Sequence, residues 1–170
     1  MKKTLLLLRH AKSSWDDLAF ADHERPLNNR GKHNATSMGK YLKKEYLIPD
    51  LIISSTAKRA LKTAYIIAKY SGYKKKITKS ETLYNATPED YIRVINDISD
   101  KHKIVLLVGH NPVLEEVIER LLGESHIMKT CSLAQIELSI EYWKKFYYGA
   151  QCRLTDIILA RDLEDDSIDE

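Results

Sequence analysis

Short runs of consecutive apolar residues alternate along the chain with longer segments in which apolar residues recur at helical spacing. Leu5 to Leu8 and Ile104 to Val108 are the clearest runs, and residues 50 to 53 contain a third. Uninterrupted apolar runs of this length are typical of strands that are buried on both faces of a parallel sheet. The alternation of such strands with helical segments predicts an α/β layer fold.

Four segments combine a helical apolar stripe with signals for the start or the end of a helix. An asparagine or a threonine, which cap helices well, stands at each start, and proline follows two of them. The predicted starts are Asn28, Thr56, Thr87 and Asn111. Gly72 and Gly123 follow the second and the fourth stripe, and glycine commonly ends a helix at that point. These signals place four helices between and after the predicted strands.

The last third of the chain has a different pattern. Ala134 to Ile140 alternate apolar and polar residues, which predicts a strand with one face exposed to water. Leu154 to Ala160 is predicted to be its neighbour. The aromatic residues between them, Tyr142-Trp143 and Phe146 to Tyr148, could line a substrate surface or cover a sheet edge. We favour the packing role, because clustered aromatic side chains bury large apolar areas.

Length and charge indicate one domain with an anionic ligand. The 170 residues suit a single domain, predicted over residues 1–161, with a disordered acidic tail over 162–170. The tail holds six acidic residues and no basic one, so the rest of the chain carries a net charge of +9. A basic body suits an anionic substrate. The lysines form scattered clusters without a nucleic-acid motif, so nucleic acid is not a predicted partner.

Targeting and metal signals are weak in this sequence. The apolar segment after Met1-Lys2-Lys3 is too short for a secretory signal, and no stretch is long enough to span a membrane. We therefore expect a cytoplasmic protein without a membrane partner. Cys131 and Cys152 do not make a disulfide framework, and the spacing of the histidines does not suggest a metal site. No metal and no cofactor are predicted.

Basic and nucleophilic side chains follow the predicted strands. Arg9 and His10 come directly after the first apolar run, Arg59 lies shortly after the third, and His110 follows the run that ends at Val108. Open α/β sheets bind their ligands at the carboxyl ends of their strands. Arg9 and His10 alone suggest chemistry on a phosphate or a carboxylate. Two arginines and two imidazoles around one point favour a tetrahedral phosphoryl group, which one histidine could attack.

Four motifs resemble those of the histidine phosphatase superfamily, the phosphoglycerate mutase-like proteins. In chain order they are Arg9-His10-Ala11, Arg25-Pro26-Leu27 with Gly31, Ser55 with Arg59-Ala60 and Thr63-Ala64, and Gly109-His110-Asn111-Pro112. The first departs from the family's Arg-His-Gly, because alanine replaces the glycine. The short length and the second and fourth motifs look most like the small SixA-type branch, whose members are phosphohistidine phosphatases.

The resemblance implies a fold and a set of roles. The fold would be a three-layer α/β/α sandwich with a mostly parallel central sheet. His10 would be the catalytic nucleophile that forms a phosphohistidine intermediate, and Arg9, Arg59 and His110 would complete the phosphate pocket without a metal. The candidates for further substrate contacts are Arg25 as a charge, Ser13 as a hydroxyl donor, and Asn111 as a helix cap that directs backbone N–H groups at the phosphate.

One departure from the family bears on the substrate. Larger relatives carry a glutamate that protonates an alkoxide leaving group, and the matching position here is Asn85, with Glu81 and Glu89 as the nearest carboxylates. Without an acid, alkyl phosphates should react slowly, whereas the nitrogen of a phosphoramidate leaves more readily. The predicted substrate is therefore a phosphorylated molecule, foremost a protein that carries phosphohistidine.

Two other functions are compatible with the sequence. In the first, the protein is a small-molecule phosphatase or phosphoesterase that uses Glu81 or Glu89 as the acid. In the second, it is a phosphate-binding module without catalysis. All four residues of the predicted pocket are present, which favours an enzyme.

Overall fold

The computed structural model describes residues 2–16 and 19–163. In chain order its strands and α-helices are β1 (Lys3–Arg9), α1 (Asn29–Lys44), β2 (Leu51–Ser55), α2 (Lys58–Ser71), β3 (Thr78–Ser80), α3 (Pro88–Asn96), β4 (Ile104–Gly109), α4 (Val113–Leu122), β5 (Ser132–Leu138) and β6 (Cys152–Leu159). Short 3-10 helices lie at Asp22–Glu24, Glu81–Leu83, Trp143–Lys145 and Ala160–Leu163.

The strands form one six-stranded sheet in the order β3-β2-β4-β1-β5-β6. The pairs β2–β3, β2–β4 and β1–β4 are parallel, and β5 and β6 join the β1 edge as antiparallel strands. This confirms the predicted mostly parallel sheet. In the central pair, Arg9 at the end of β1 lies opposite Gly109 at the end of β4. The residues that follow, His10 and His110, therefore leave the sheet side by side.

The four leucines of β1 explain the three layers. Leu5 and Leu7 pack into a core that includes α3 and α4, while Leu6 and Leu8 pack into a second core with α1 and α2. All four side chains are fully buried. Each contributes about 1.5–3 kcal/mol of burial free energy. The apolar run thus fixes β1 at the centre of the sheet and holds its carboxyl end in place.

The helix ends follow the predicted signals at most positions. The Asn28 side chain accepts a hydrogen bond from the Gly31 backbone N–H and caps α1, and Thr87 forms a capping box at the start of α3. Gly72 and Gly123 end α2 and α4 in the left-handed region, with φ of 86° and 76°. The second helix, predicted to begin near Thr56, begins at Lys58.

The aromatic segment of the last third packs against the sheet layer, as predicted. Trp143 is fully buried and Phe146 nearly so. Trp143 Nε1 donates a hydrogen bond to the His102 carbonyl at 2.8 Å, and Asn96 Nδ2 donates to the carbonyls of Trp143 and Phe146. The bonds from Asn96 join the connection between β5 and β6 to α3, and the bond from Trp143 joins it to the segment before β4. The buried aromatic side chains of this connection therefore belong to the core.

The acidic tail and the cysteines are two sequence features outside the predicted site. Asp162 and Leu163 belong to the last 3-10 helix, and the rest of the predicted acidic tail, residues 164–170, lies outside the described residues. Cys131 and Cys152 are both free thiols. Within residues 2–16 and 19–163, no helix is long and apolar enough to cross a membrane.

Gly109 is required by a close approach of α3 to the end of β4. A Cβ atom at Gly109 would overlap with Tyr91 Oη, and it would lie 3.5 Å from Tyr91 Cζ. We expect Gly109→Ala to lower the free energy of unfolding by about 1–3 kcal/mol, as overpacking does. Urea unfolding measures this loss.

The control is the double variant. Tyr91→Phe removes the overlapping oxygen, so we expect Gly109→Ala with Tyr91→Phe to recover most of the lost stability. Tyr91→Phe alone should be neutral or stabilising, because that buried hydroxyl has no hydrogen-bond partner among the described residues. Additive effects of the two substitutions would contradict the proposed overlap.

Candidate active site

A cleft of about 640 Å³ opens at the carboxyl edge of the parallel strands, where α/β sheets place their ligands. All seven predicted site residues line it. They are Arg9, His10, Ser13, Arg25, Arg59, His110 and Asn111. The ends of β1 and β4 supply the histidines, and the first turn of α2 supplies Arg59. The topology thus brings together residues that are a hundred positions apart.

The two histidines and Arg59 form the centre of the cleft. The ring centroids of His10 and His110 are 5.1 Å apart. Arg59 Nε lies 3.4 Å from His10 Nε2, and Arg59 Nη2 lies 3.5 Å from His110 Nδ1. All three side chains are buried. One guanidinium thus contacts both imidazoles. The two rings are close enough for both to contact a single tetrahedral anion.

The orientation of His10 follows from its contact with the backbone. His10 Nδ1 lies 2.7 Å from the Ala11 carbonyl oxygen, which can only accept, so Nδ1 carries the proton. The lone pair is then on Nε2, the atom that faces Arg59. The Ala11 backbone N–H donates to Thr63 Oγ1 at 3.0 Å. The threonine of the third motif therefore holds the residue whose carbonyl orients His10.

Both histidines are neutral at neutral pH. Burial, joined by the charges of Arg59, Arg9 and Arg25, lowers the pKa of His10 to about 4. Burial, His10 and Arg59 lower the pKa of His110 to about 3. Since a phosphoryl group is attacked by a lone pair, an imidazole that stays unprotonated above pH 5 is ready to act as a nucleophile.

His110 is fixed by the third motif. His110 Nε2 lies 2.8 Å from Ser55 Oγ. Because the guanidinium of Arg59 can only donate to Nδ1, the proton of His110 is on Nε2 and is donated to Ser55. Ser55 Oγ also accepts the Ala57 backbone N–H at 3.2 Å. Ser55 therefore connects the end of β2 to His110.

Arg9 contributes a second, partly buried cation. Its Nη1 donates to the Met128 carbonyl at 3.1 Å, and its Nε is buried without a partner among the described residues. Burial lowers the pKa of Arg9, and Glu115 opposes the shift. Arg9 lines the cleft, so its permanent positive charge is available to an anion there.

Arg25 and Ser13 lie together on one wall of the cleft. Arg25 Nη1 donates to Ser13 Oγ at 2.7 Å, and its guanidinium stacks over the ring of Trp15 at 3.5 Å. Trp15 is 69% exposed, so it lies at the rim. Arg25 also forms an ion pair with Asp22. Its charge thus lines the cleft while its orientation is fixed by three neighbours.

The prediction that Asn111 caps a helix is wrong. The cap position of α4 belongs to Pro112, and no side chain caps it. Asn111 Nδ2 instead donates to Glu115 Oε1 at 2.9 Å and to the Met128 carbonyl at 2.8 Å. Asn111 lines the cleft, but these two bonds direct its amide group toward the segment that also receives Arg9.

Sequence reasoning missed Asp22 and Tyr84. Asp22 Oδ2 accepts hydrogen bonds from Arg59 Nη2 at 3.2 Å and from Tyr84 Oη at 2.7 Å, and its backbone carbonyl accepts one from Arg59 Nη1 at 2.7 Å. Tyr84 also packs edge-on against His110. The position of Asp22 three residues before Arg25 is a signal for an ion pair, but no spacing in the sequence indicates its contact with Arg59.

The acidic residues considered as proton donors lie away from the cleft. Glu89 forms an exposed ion pair with Arg120 at 2.8 Å. Neither Glu89 nor Glu81 lines the cleft, whereas Asn85 does. Among the described residues, the carboxylates that line it are those of Asp22 and Glu116. His, Cys, Asp and Glu side chains of the described part form no group of three or more that could hold a metal ion.

Comparison with known sequences identifies relatives. The sequence pattern of the histidine phosphatase superfamily (branch 1) matches residues 5–86. An uncharacterized chloroplastic protein of Arabidopsis thaliana is 30% identical over 86% of this chain and 72% of its own length. An uncharacterized protein of Mycobacterium tuberculosis is 37% identical over 62% of this chain and 63% of its own length.

Solved structures share the fold. A candidate phosphohistidine phosphatase SixA of Agrobacterium tumefaciens superposes with a TM-score of 0.78 and is 29% identical, over 92% of this chain and 97% of that one. A protein histidine phosphatase SixA in complex with tungstate gives a TM-score of 0.80 at 16% identity, over 95% and 99% of the two chains, a likeness of fold alone. Together with its four motifs, these likenesses show that the chain belongs to the histidine phosphatase superfamily and resembles its small SixA-type members.

Proposed function

We propose that this protein is a phosphohistidine phosphatase that transfers the phosphoryl group of its substrate to His10 and then to water. One observation carries the proposal. His10 directs an unprotonated Nε2 into a cleft that three arginines line, of which Arg25 and Arg59 are buried. A lone pair beside fixed positive charge is the arrangement that in-line attack on an anionic phosphoryl group requires.

The neighbours of His10 would bind the phosphoryl group and stabilise the charge that develops during its transfer. Arg9 and Arg59 would bind the oxygens of the phosphoryl group, and Arg25, bonded to Ser13, would add charge on the wall of the cleft. His110 would donate to an oxygen from Nδ1 once the bound anion brings a proton to that atom, since its Nε2 proton is donated to Ser55. During transfer, His10 Nε2 gives its lone pair to phosphorus while the Nδ1 proton stays on the ring, held by the Ala11 carbonyl. Because these donors are already oriented, they stabilise the developing charge without reorganisation.

The placement of carboxylates favours an activated phosphoryl group as the substrate. With Glu81 and Glu89 outside the cleft, nothing supports the alternative in which one of them protonates an alkoxide. A phosphoramidate needs no such acid when its leaving ring already carries a proton. The alternative of a non-catalytic binding module gains no support either, because a neutral, oriented nucleophile is unnecessary for binding alone.

The leaving group provides the test of this proposal. We expect a phosphohistidine peptide and an aryl phosphate to be hydrolysed in the presence of a chelator, and 3-phosphoglycerate and sugar phosphates to be poor substrates, because an alkoxide cannot leave without a proton. Rates across a series of phosphate esters should fall steeply as the pKa of the leaving group rises. Release of inorganic phosphate measures each rate.

Two variants serve as controls. Glu81→Gln and Glu89→Gln should leave the rates on one alkyl and one aryl phosphate unchanged. A large loss confined to the alkyl substrate would identify a proton donor and favour the small-molecule phosphatase. Failure to hydrolyse the phosphohistidine peptide would contradict the proposal itself.

The identity of the partner and the location of the protein stay predictions. A SixA-type function implies a partner protein that presents phosphohistidine, and a cleft with the exposed Trp15 at its rim suits a residue on the surface of another protein. We infer a cytoplasmic location from the sequence alone.

A further inference from the structure

Asp22 is a carboxylate in the cleft that the proposed reaction does not use. Its Oδ1 accepts two long hydrogen bonds from Arg25, at 3.3 and 3.4 Å, and its Oδ2 accepts one from Arg59 at 3.2 Å and one from Tyr84 at 2.7 Å. The side chain is 52% exposed and lines the cleft. A negative charge therefore lies beside two of the cations that surround His10.

This carboxylate stays charged at neutral pH. The hydrogen bond from Tyr84, with the charges of Arg59 and Arg25, lowers the pKa of Asp22 to about 2. A group that is ionised above pH 3 is a poor donor of a proton to a departing alkoxide. What Asp22 offers the reaction is a fixed negative charge and lone pairs that accept hydrogen bonds.

Phosphohistidine and phosphate esters differ in the charge of the leaving group. An imidazole leaves readily only when the ring nitrogen that is not bonded to phosphorus carries a proton. As His10 Nε2 bonds to phosphorus, the electron pair of the breaking P–N bond returns to the ring, the proton stays on the distal nitrogen, and neutral imidazole departs. An ester without a proton donor instead departs as an oxyanion.

We propose that the Asp22 carboxylate selects the leaving group, accepting a hydrogen bond from the distal N–H of the substrate imidazole and repelling leaving groups that depart as oxyanions. This inference rests on the proposed function, since it gives Asp22 a role in the same reaction. A bound phosphoryl group would replace Asp22 as the acceptor for Arg59 Nη2, which frees a lone pair on Oδ2. Asp22 would then hold the substrate ring as the Ala11 carbonyl holds His10.

The experiment compares two small substrates on the variant Asp22→Asn, which keeps the shape of the side chain and removes its charge. The substrates are N-phosphorylated imidazole, whose leaving group carries an N–H, and 4-nitrophenyl phosphate, which leaves as an oxyanion. We expect the kcat/KM of N-phosphorylated imidazole, divided by that of 4-nitrophenyl phosphate, to fall at least about tenfold. A fall of this size corresponds to the loss of one hydrogen bond to a charged group. The value for the aryl phosphate should hold or rise.

Glu116→Gln is the matched control, because it removes a carboxylate that lines the same cleft. Within the described residues, Glu116 forms no hydrogen bond or ion pair with Arg9, Arg25 or Arg59, so the ratio should change by less than about twofold, within the usual effect of an exposed charge. Asp22→Ala, which removes the same charge by another route, should shift the ratio in the same direction as Asp22→Asn. Thermal unfolding of each variant verifies the fold.

The outcomes separate this inference from the proposed function. If Asp22→Asn lowers kcat/KM equally for both substrates, Asp22 only orients Arg59 and Arg25, and the inference is wrong while the proposed function stands. If the wild-type protein hydrolyses the aryl phosphate but neither phosphorylated imidazole nor a phosphohistidine peptide, the proposed function fails and the inference fails with it.

Discussion

Replacing His10 with alanine is expected to eliminate the phosphoenzyme and to lower kcat/KM by about 10⁴-fold or more, as loss of a catalytic nucleophile does. The reason is that Nε2 of His10 carries the lone pair that attacks phosphorus, whereas Nε2 of His110 carries a proton that it donates to Ser55. Rapid quenching with labelled substrate measures the effect. The wild-type adduct should be labile in acid and stable in base, the behaviour of phosphohistidine.

The control for this variant is a histidine outside the cleft. His126 does not line the cleft, and His126→Ala should form the adduct at the wild-type level. A label that persists in His10→Ala would place the nucleophile on another residue and would contradict the mechanism proposed above. The variant should remain folded, since the imidazole of His10 lies at the end of β1 and not within either apolar core.

The fold was predictable where burial alone determines the structure. The leucines of β1 and the apolar residues of β4 are buried on both faces of the sheet, so four or five consecutive apolar positions identify each strand. The order of the strands in the sheet could not be predicted in this way. Nothing local in either run indicates that β1 and β4 are neighbours, because parallel pairing depends on contacts between residues a hundred positions apart.

The site was predictable where residues lie at strand ends, and less so where side chains reach across the cleft. Arg9, His10 and His110 follow directly from the position of the strands. Asp22 lies in a segment without a periodic pattern, and its contact with Arg59 joins residues 37 positions apart. The capping role of Asn111 was wrong for a related reason, because tertiary hydrogen bonds to Glu115 and Met128 compete with the local cap.

Arg59→Ala is expected to lower kcat/KM by about 10²- to 10³-fold, corresponding to about 2.7–4 kcal/mol of transition-state stabilisation for one preorganised donor. Arg59 contacts both histidines and Asp22, whereas the neighbouring Ala60 and Ala64 supply the apolar packing of α2. The variant should therefore lose activity while its unfolding temperature stays close to that of the wild type. Steady-state kinetics and thermal unfolding measure the two effects.

The pH profile distinguishes a catalytic from a structural role for Arg59. The charge of Arg59 helps to lower the pKa of His10, so its removal should raise that pKa and move the acidic limb of kcat/KM to higher pH. Arg59→Lys restores the charge without the bidentate geometry. It should return the limb toward its wild-type position but recover only part of the rate. If Arg59→Ala lowers the rate without moving the limb, Arg59 does not act on His10 through its charge.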